Sequence, residues 1–265
     1  MSSVATLLEE AEAHVVRGWD FSWLGDRLTT APLPWSFSDI VTRHARLSPD
    51  LLDVGTGGGE WLAVLPDRPP RTVATESWPA NVDVAGERLR PLGITVVWDD
   101  PAPDNVDQLP HETRARLPFP SQSFALVSNR HTSFVASEVA RVLTVDGAFL
   151  TEQVGGVYDD FYAALELPPP PPPRTWDLEF ARAQLEAAGL HVVESAVGQE
   201  VTTFADAGAF AWYLKAVPWS VEGFSISAYR PHLERLQERI ARGGPIAIEQ
   251  PAFWLAAVKS GAVAA

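Results

Sequence analysis

The stretch Leu51-Leu52-Asp53-Val54-Gly55-Thr56-Gly57-Gly58-Gly59-Glu60 limits what this chain can become more than any other. An apolar run this short reads as a buried parallel strand. The glycines after it let the backbone turn sharply and approach a ligand with no Cβ in the way. Glu60 to Val64 then opens a helix whose first N–H groups face the same place.

The pattern keeps alternating beyond that unit. Strands are expected at 51–54, 72–76, 94–98, 124–128, 148–154 and 191–197, with helices between them. One helix carries Val135, Val139, Val142 and Leu143 on a single face, and another carries Leu178, Ala181, Leu185 and Ala188. Such alternation predicts an α/β fold, a Rossmann-like doubly wound and mostly parallel sheet covered by helices on both faces. We expect a single domain over 1–265, with the core at 48–204. Residues 1–47 form a helical extension, and Val4, Leu7, Leu8, Ala11 and Val15 place a helix at 3–16. Residues 205–250 form a helical insertion, and 251–265 supply the final strand. The acidic, proline-rich stretch 99–118 reads as a surface connection. The six prolines 168–173 read as a polyproline II spacer about 19 Å long at ~3.1 Å per residue.

Composition narrows the partners. The formal charge of −14 and the lack of a basic cluster argue against nucleic acid. The absence of cysteine removes thiolate metal sites and fits a cytoplasmic setting, and no metal set is expected. No apolar run reaches the ~20 residues of a membrane span, and Met1 to Glu12 lacks the pattern of a signal peptide. A small-molecule substrate and a monomer or homodimer are expected.

Two phosphate-binding turns can be set aside. A dinucleotide fingerprint needs a glycine where Glu60 stands, and that carboxylate would meet a pyrophosphate with like charge. A Walker loop needs a Gly-Lys-Ser/Thr run that is missing.

The turn instead resembles motif I of class I S-adenosylmethionine-dependent methyltransferases, D-x-G-x-G-x-G, through Asp53, Gly55, Gly57 and Gly59. Glu76, ending the next strand, matches the acid that receives the ribose hydroxyls in that family. Leu117-Pro118-Phe119 with Phe124 to Val127, and Glu138 to Leu143 with Asp146 to Leu150, are similar to two further family stretches. The resemblance covers roughly residues 50–200. It implies a seven-stranded sheet with an antiparallel last strand, and S-adenosylmethionine as cofactor. The expected contacts are Asp53, Gly55, Thr56, Gly57, Gly59, Glu76, Ser77, Asp99 beside the adenine, and Asn129. Asn129-Arg130-His131, Gln153 to Gly156 and Tyr213 to Trp219 are also similar to a bacterial group of type 11-like methyltransferases.

In this fold the end of the fourth strand points at the reactive methyl, and here it carries Asn129, Arg130 and His131. His131 is a candidate catalytic base, because an imidazole titrates near neutral pH. Asn129 is a candidate for orienting the acceptor, and Arg130 for meeting a substrate carboxylate or pairing with a neighbouring acid. Trp19, Trp23, Trp35, Trp212 and Trp219 are expected to form a lid suited to a small hydrophobic or aromatic acceptor. The expected activity is methyl transfer to O or N of such a molecule. Two rivals stay open: an RNA-base methyltransferase, and a protein that binds S-adenosylmethionine without transferring the methyl.

Overall fold

All five residues from Asp50 to Val54 are buried, as a strand covered on both faces requires. Successive side chains go to opposite sides: Leu51 joins a cluster with Phe37, Leu62 and Leu89, whereas Leu52 joins Val139, Phe149 and Leu185. The same alternation recurs at Leu126 and Val127, and at Trp254 and Leu255. Helical layers therefore cover both faces of one sheet.

The computed structural model describes residues 3–106, 115–156, 159–168 and 176–260. In chain order the first elements are α1 (Val4–Ala13), β1 (Leu28–Thr30), α2 (Phe37–Ala45), β2 (Asp50–Val54), α3 (Glu60–Val64) and β3 (Arg71–Glu76). Then come α4 (Pro79–Leu89), β4 (Thr95–Trp98), β5 (Phe124–Arg130), α5 (Ala136–Val142), β6 (Leu143–Val154) and α6 (Asp159–Ala164). The chain continues through α7 (Leu178–Ala187), β7 (His191–Phe204), α8 (Ala207–Ala216), α9 (Arg230–Gly243) and β8 (Ile246–Val258). Most of the polyproline stretch, much of the 99–118 connection and the end of the expected last segment lie outside the described residues.

The strand order is β1-β7-β8-β6-β5-β2-β3-β4. Strands β4, β3, β2, β5 and β6 pair in parallel, and β8 lies antiparallel between β6 and β7. The sheet thus has eight strands rather than the seven expected. The addition is β1, which pairs Leu28 with Phe204 and Thr30 with Thr202. Three residues are too few to show alternation, and their partner is a β7 that runs on to Phe204 rather than stopping near Val197.

The insertion is also shorter than 205–250, because β8 begins at Ile246, which pairs with Phe204. The chain leaves and re-enters the sheet at adjoining positions. The loop between them, α8 and α9, packs with α1 and α6 into a third apolar cluster containing Leu8, Phe161, Trp212 and Leu236. Helix α8 is buried on nearly every side, and its Gly208 lies against the backbone of Leu7. Asp206 caps α8 through the N–H of Ala209 and takes both arms of Arg27 at 2.7 Å, so the segment entering β1 is tied to the insertion. Helix α1 stops at Ala13, short of residue 16. His14 turns extended there and stacks on Trp23 with ring centres 4.3 Å apart.

Candidate functional site

The strand order reverses between β2 and β5, and the carboxyl ends of the parallel strands gather Gly55, Glu76, Asp99 and His131 around that crevice. Gly55, Gly57 and Gly59 have φ of +71°, +63° and +79°. At Gly55 a Cβ would run into the side chain of Thr132, so this position needs glycine for both conformation and space. The N–H of Gly57 donates to Glu76 Oε2 at 2.6 Å, and that of Trp78 donates to Oε1 at 2.8 Å. The turn is therefore bound to the acid that ends β3. Burial pushes the Glu76 carboxyl up, against the pull of these backbone donors. Arg88 of α4 reaches both the Gly58 carbonyl and the Glu60 carboxylate. Glu60 is thereby paired, so the case against a dinucleotide rests on the missing third glycine more than on repulsion.

Two expected ligand contacts lie beneath the turn. Asp53 is buried and accepts a 2.7 Å hydrogen bond from Ser128 Oγ, and burial pushes its carboxyl up to about 6. Asn129 is 0% exposed. Its amide donates to the Val54 carbonyl at 3.2 Å, and its Oδ1 accepts from Thr151 at 2.9 Å and Gln153 at 2.7 Å. Strand β5 runs through Arg130, so Asn129 is a central-strand residue whose amide joins β2 to β6, and its side chain is spent on that task.

Asp99 lies on a small cavity of about 120 Å³ with Gly55, Ser77, Thr132 and Phe134. Its Oδ1 is buried and has no hydrogen-bond partner, and burial pushes the carboxyl up to about 6. Thr56 lies in the turn, and its buried hydroxyl acts on the Asp53 carboxyl, pulling it down against the effect of burial.

A larger cavity of about 790 Å³ opens next to it, and Thr132 and Ser133 line both. Its apolar wall includes Trp19, Phe21, Trp176, Tyr213 and Trp219, while Arg130, His131, Gln153, Glu200 and Gln250 supply polar groups. Trp19 and Trp219 lie parallel, 6.2 Å apart, and Trp19 passes over Gly57. The other three expected lid residues are elsewhere. Trp212 is 1% exposed and donates to the His14 carbonyl inside the third cluster. Trp23 packs there too, between His14 and Trp212. Trp35 donates its indole N–H to Glu152 at 2.7 Å. Helical and loop tryptophans look alike in sequence, and only packing separates wall from core.

Among the described residues, His131 is one of few non-glycines with positive φ, at +55°, and its N–H donates to the Glu152 carbonyl. That strained backbone turns the ring into the cavity. Burial and the adjacent Arg130 push its pKa well below the usual imidazole value, so the ring is neutral at pH 7. Nδ1 is buried without a partner, and Nε2 lies 3.5 Å from Glu152 Oε1. Arg130 gives its Nε to the same carboxylate at 2.8 Å, so of its two expected roles it takes the pairing one. Glu152 is the residue that reading the sequence missed, together with Glu200. The Gln153 to Gly156 phrase marked that strand end without disclosing Glu152, whose role depends on β6 lying beside β5.

No protein-family model and no curated protein matches the sequence. Solved structures do. A methyltransferase candidate from Bacillus halodurans C-125 is 18% identical over 84% of this chain and 99% of that one, with a TM-score of 0.56. The YcgJ protein of Bacillus subtilis is 17% identical over 85% and 98%, with a TM-score of 0.53. The [4+2]-cyclase SpnF is 18% identical over 97% and 92%, with a TM-score of 0.50. Identities of this size speak for the fold alone.

Proposed function

We propose that this chain, which has the class I methyltransferase fold, moves a methyl group from S-adenosylmethionine to an oxygen or nitrogen of a small molecule held in the larger cavity. The observation that carries the reading is the buried, unpartnered Oδ1 of Asp99 in a small cavity beside the glycine turn. A carboxylate oxygen in that position calls for a donor, and the exocyclic amine of adenine is one. The residues present fit the rest of the cofactor: backbone from Gly55 to Gly59 beside its methionine part, Glu76 for the ribose hydroxyls, Ser77 and Asp99 beside the base. When bound, the cofactor supplies an electrophilic methyl on a sulfonium sulfur.

The chain's own contribution is alignment and proton handling. Trp19, Phe21 and Tyr213 exclude water from the acceptor side. Neutral His131 lines the acceptor cavity, and its unpaired Nδ1, buried in the unliganded chain, is the basic atom that takes a proton from the acceptor once a small turn of the ring exposes it. Glu152 lies close enough to steady the resulting charge on the ring, and Arg130 and Trp35 hold that carboxylate in place. In this reading Asn129 positions β5 and touches neither ligand.

Because the [4+2]-cyclase SpnF shares the fold, a second reading has the same cavity promote a reaction other than methyl transfer. RNA-base methylation is disfavoured by the charge of −14. Calorimetry with S-adenosylmethionine and its demethylated product tests the cofactor, and binding of neither defeats the proposal. Release of demethylated product with a panel of small molecules, but not with RNA, supports it. Tight binding with no turnover across the panel moves the weight to the second reading.

A further inference from the structure

The large cavity has an imbalance of charge. Its cation, Arg130, is engaged by Glu152, and its imidazole, His131, is neutral. Glu200 on β7 also lines it, and its carboxylate makes no hydrogen bond or ion pair among the described residues. Register sets it directly across from Gln250 of β8, a buried amide on the same cavity, with Thr202 two residues further along. Asp104, whose Oδ1 accepts only from the N–H of Val106, adds a second negative group at the wall. A half-buried carboxylate without a counter-ion is costly, and burial together with the like charge of Glu152 pushes Glu200 up while Arg130 pulls it down. The surrounding walls are aromatic faces, which attract cations rather than anions.

We propose that the acceptor molecule carries a protonated amine apart from the atom that is methylated, its ammonium group received by Glu200 and Gln250 as a binding handle and its aromatic or apolar body enclosed by the tryptophan and phenylalanine walls. This rests on the reading of the larger cavity as the acceptor site, and it assigns to Glu200 the selection of that acceptor. Arg130 then serves the protein rather than a substrate carboxylate.

The test uses the full chain loaded with S-adenosylhomocysteine and three probes of one shape: tyramine, tyrosol and 4-hydroxyphenylacetate, which end in an ammonium, an alcohol and a carboxylate. Tyramine is expected to bind at least about tenfold more tightly than tyrosol, with the acid weakest. Glu200→Gln is expected to erase the preference for tyramine, and Glu200→Lys to turn it toward the acid. Unchanged binding of S-adenosylhomocysteine by both variants shows that they are folded. Tightest binding by the acid, or a tyramine preference that survives Glu200→Gln, overturns the proposal. Failure of all three probes to bind while S-adenosylhomocysteine still binds also overturns it and leaves the cofactor reading standing. Loss of S-adenosylhomocysteine binding in the unaltered chain overturns that underlying reading instead.

Discussion

The two cavities at the strand ends are built in different ways. The smaller one is lined by the ends of successive parallel strands: Val54 and Gly55 at the end of β2, Ser77 after β3, Asp99 after β4, and Thr132 to Val135 after β5. The larger one is made from side chains contributed by the approach to β1, by β5, β6, β7 and β8, and by α8 with the turn after it. The first is a local device repeated along the sheet, and the second depends on where an insertion and an N-terminal segment come to rest. A change in the first should therefore act on cofactor binding, and a change in the second on the acceptor and its turnover.

The largest expected effect sits in the larger cavity, next to the wall that the two share. His131→Gln should lower kcat about 10²–10⁴-fold and leave cofactor affinity unchanged. The ring must be neutral to act, and its pKa lies well below the usual value. The wild-type rate should therefore be flat from pH 7 to 8 and fall only as acid protonates it. Steady-state pH profiles check this, and an equal fall in cofactor affinity would erase the division between the cavities. Next comes Gly55→Ala, which places a methyl at φ +71° against Thr132 and should weaken cofactor binding by about a hundredfold in calorimetry.

A third effect belongs to the protein without ligands. Asp53 ionises near the ordinary ~3.9 when unfolded and near about 6 when folded, so the folded chain holds the extra proton between those values. Its contribution is most favourable in acid and declines as pH rises through that window. Asp53→Asn should therefore lose less stability between pH 4 and pH 7, by on the order of 2 kcal/mol in denaturant unfolding. Asp99 gives a smaller change. A donor prefers its ionised form, which is largely absent at pH 5 with a pKa of about 6, so cofactor affinity should drop about tenfold from pH 7 to pH 5. Asp99→Asn should flatten that dependence. The smallest effect is expected at Trp219, which is 52% exposed. Trp219→Ala should raise the acceptor KM several-fold, roughly what one exposed aromatic face contributes, without touching cofactor affinity.

The same division explains what could be read from sequence. The turn, Glu76 and the sheet core were legible because strand-to-turn-to-helix units leave a continuous local pattern. Strand β1 was not, since three residues carry no period and its pairing partner is far away at Thr202 to Phe204. Trp212 and Trp219 look alike in sequence, both being tryptophans near one helix, yet one is buried and the other half-exposed. Asn129 illustrates the converse: its place at the strand end was legible, and its consumption by Val54, Thr151 and Gln153 required the neighbouring strands. Glu152 became visible only once β6 was placed beside β5.

Thr132 and Ser133 form a common boundary of the two cavities, and Thr132 also presses on Gly55. Any ligand that shifts this pair alters the free energy of the other compartment. Thermodynamic reciprocity then fixes the sizes: whatever factor the cofactor exerts on acceptor affinity, the acceptor must return to the cofactor. A two-residue party wall thus makes each ligand a gauge of the other, so that titrating one at fixed levels of the second measures the strength of their communication directly.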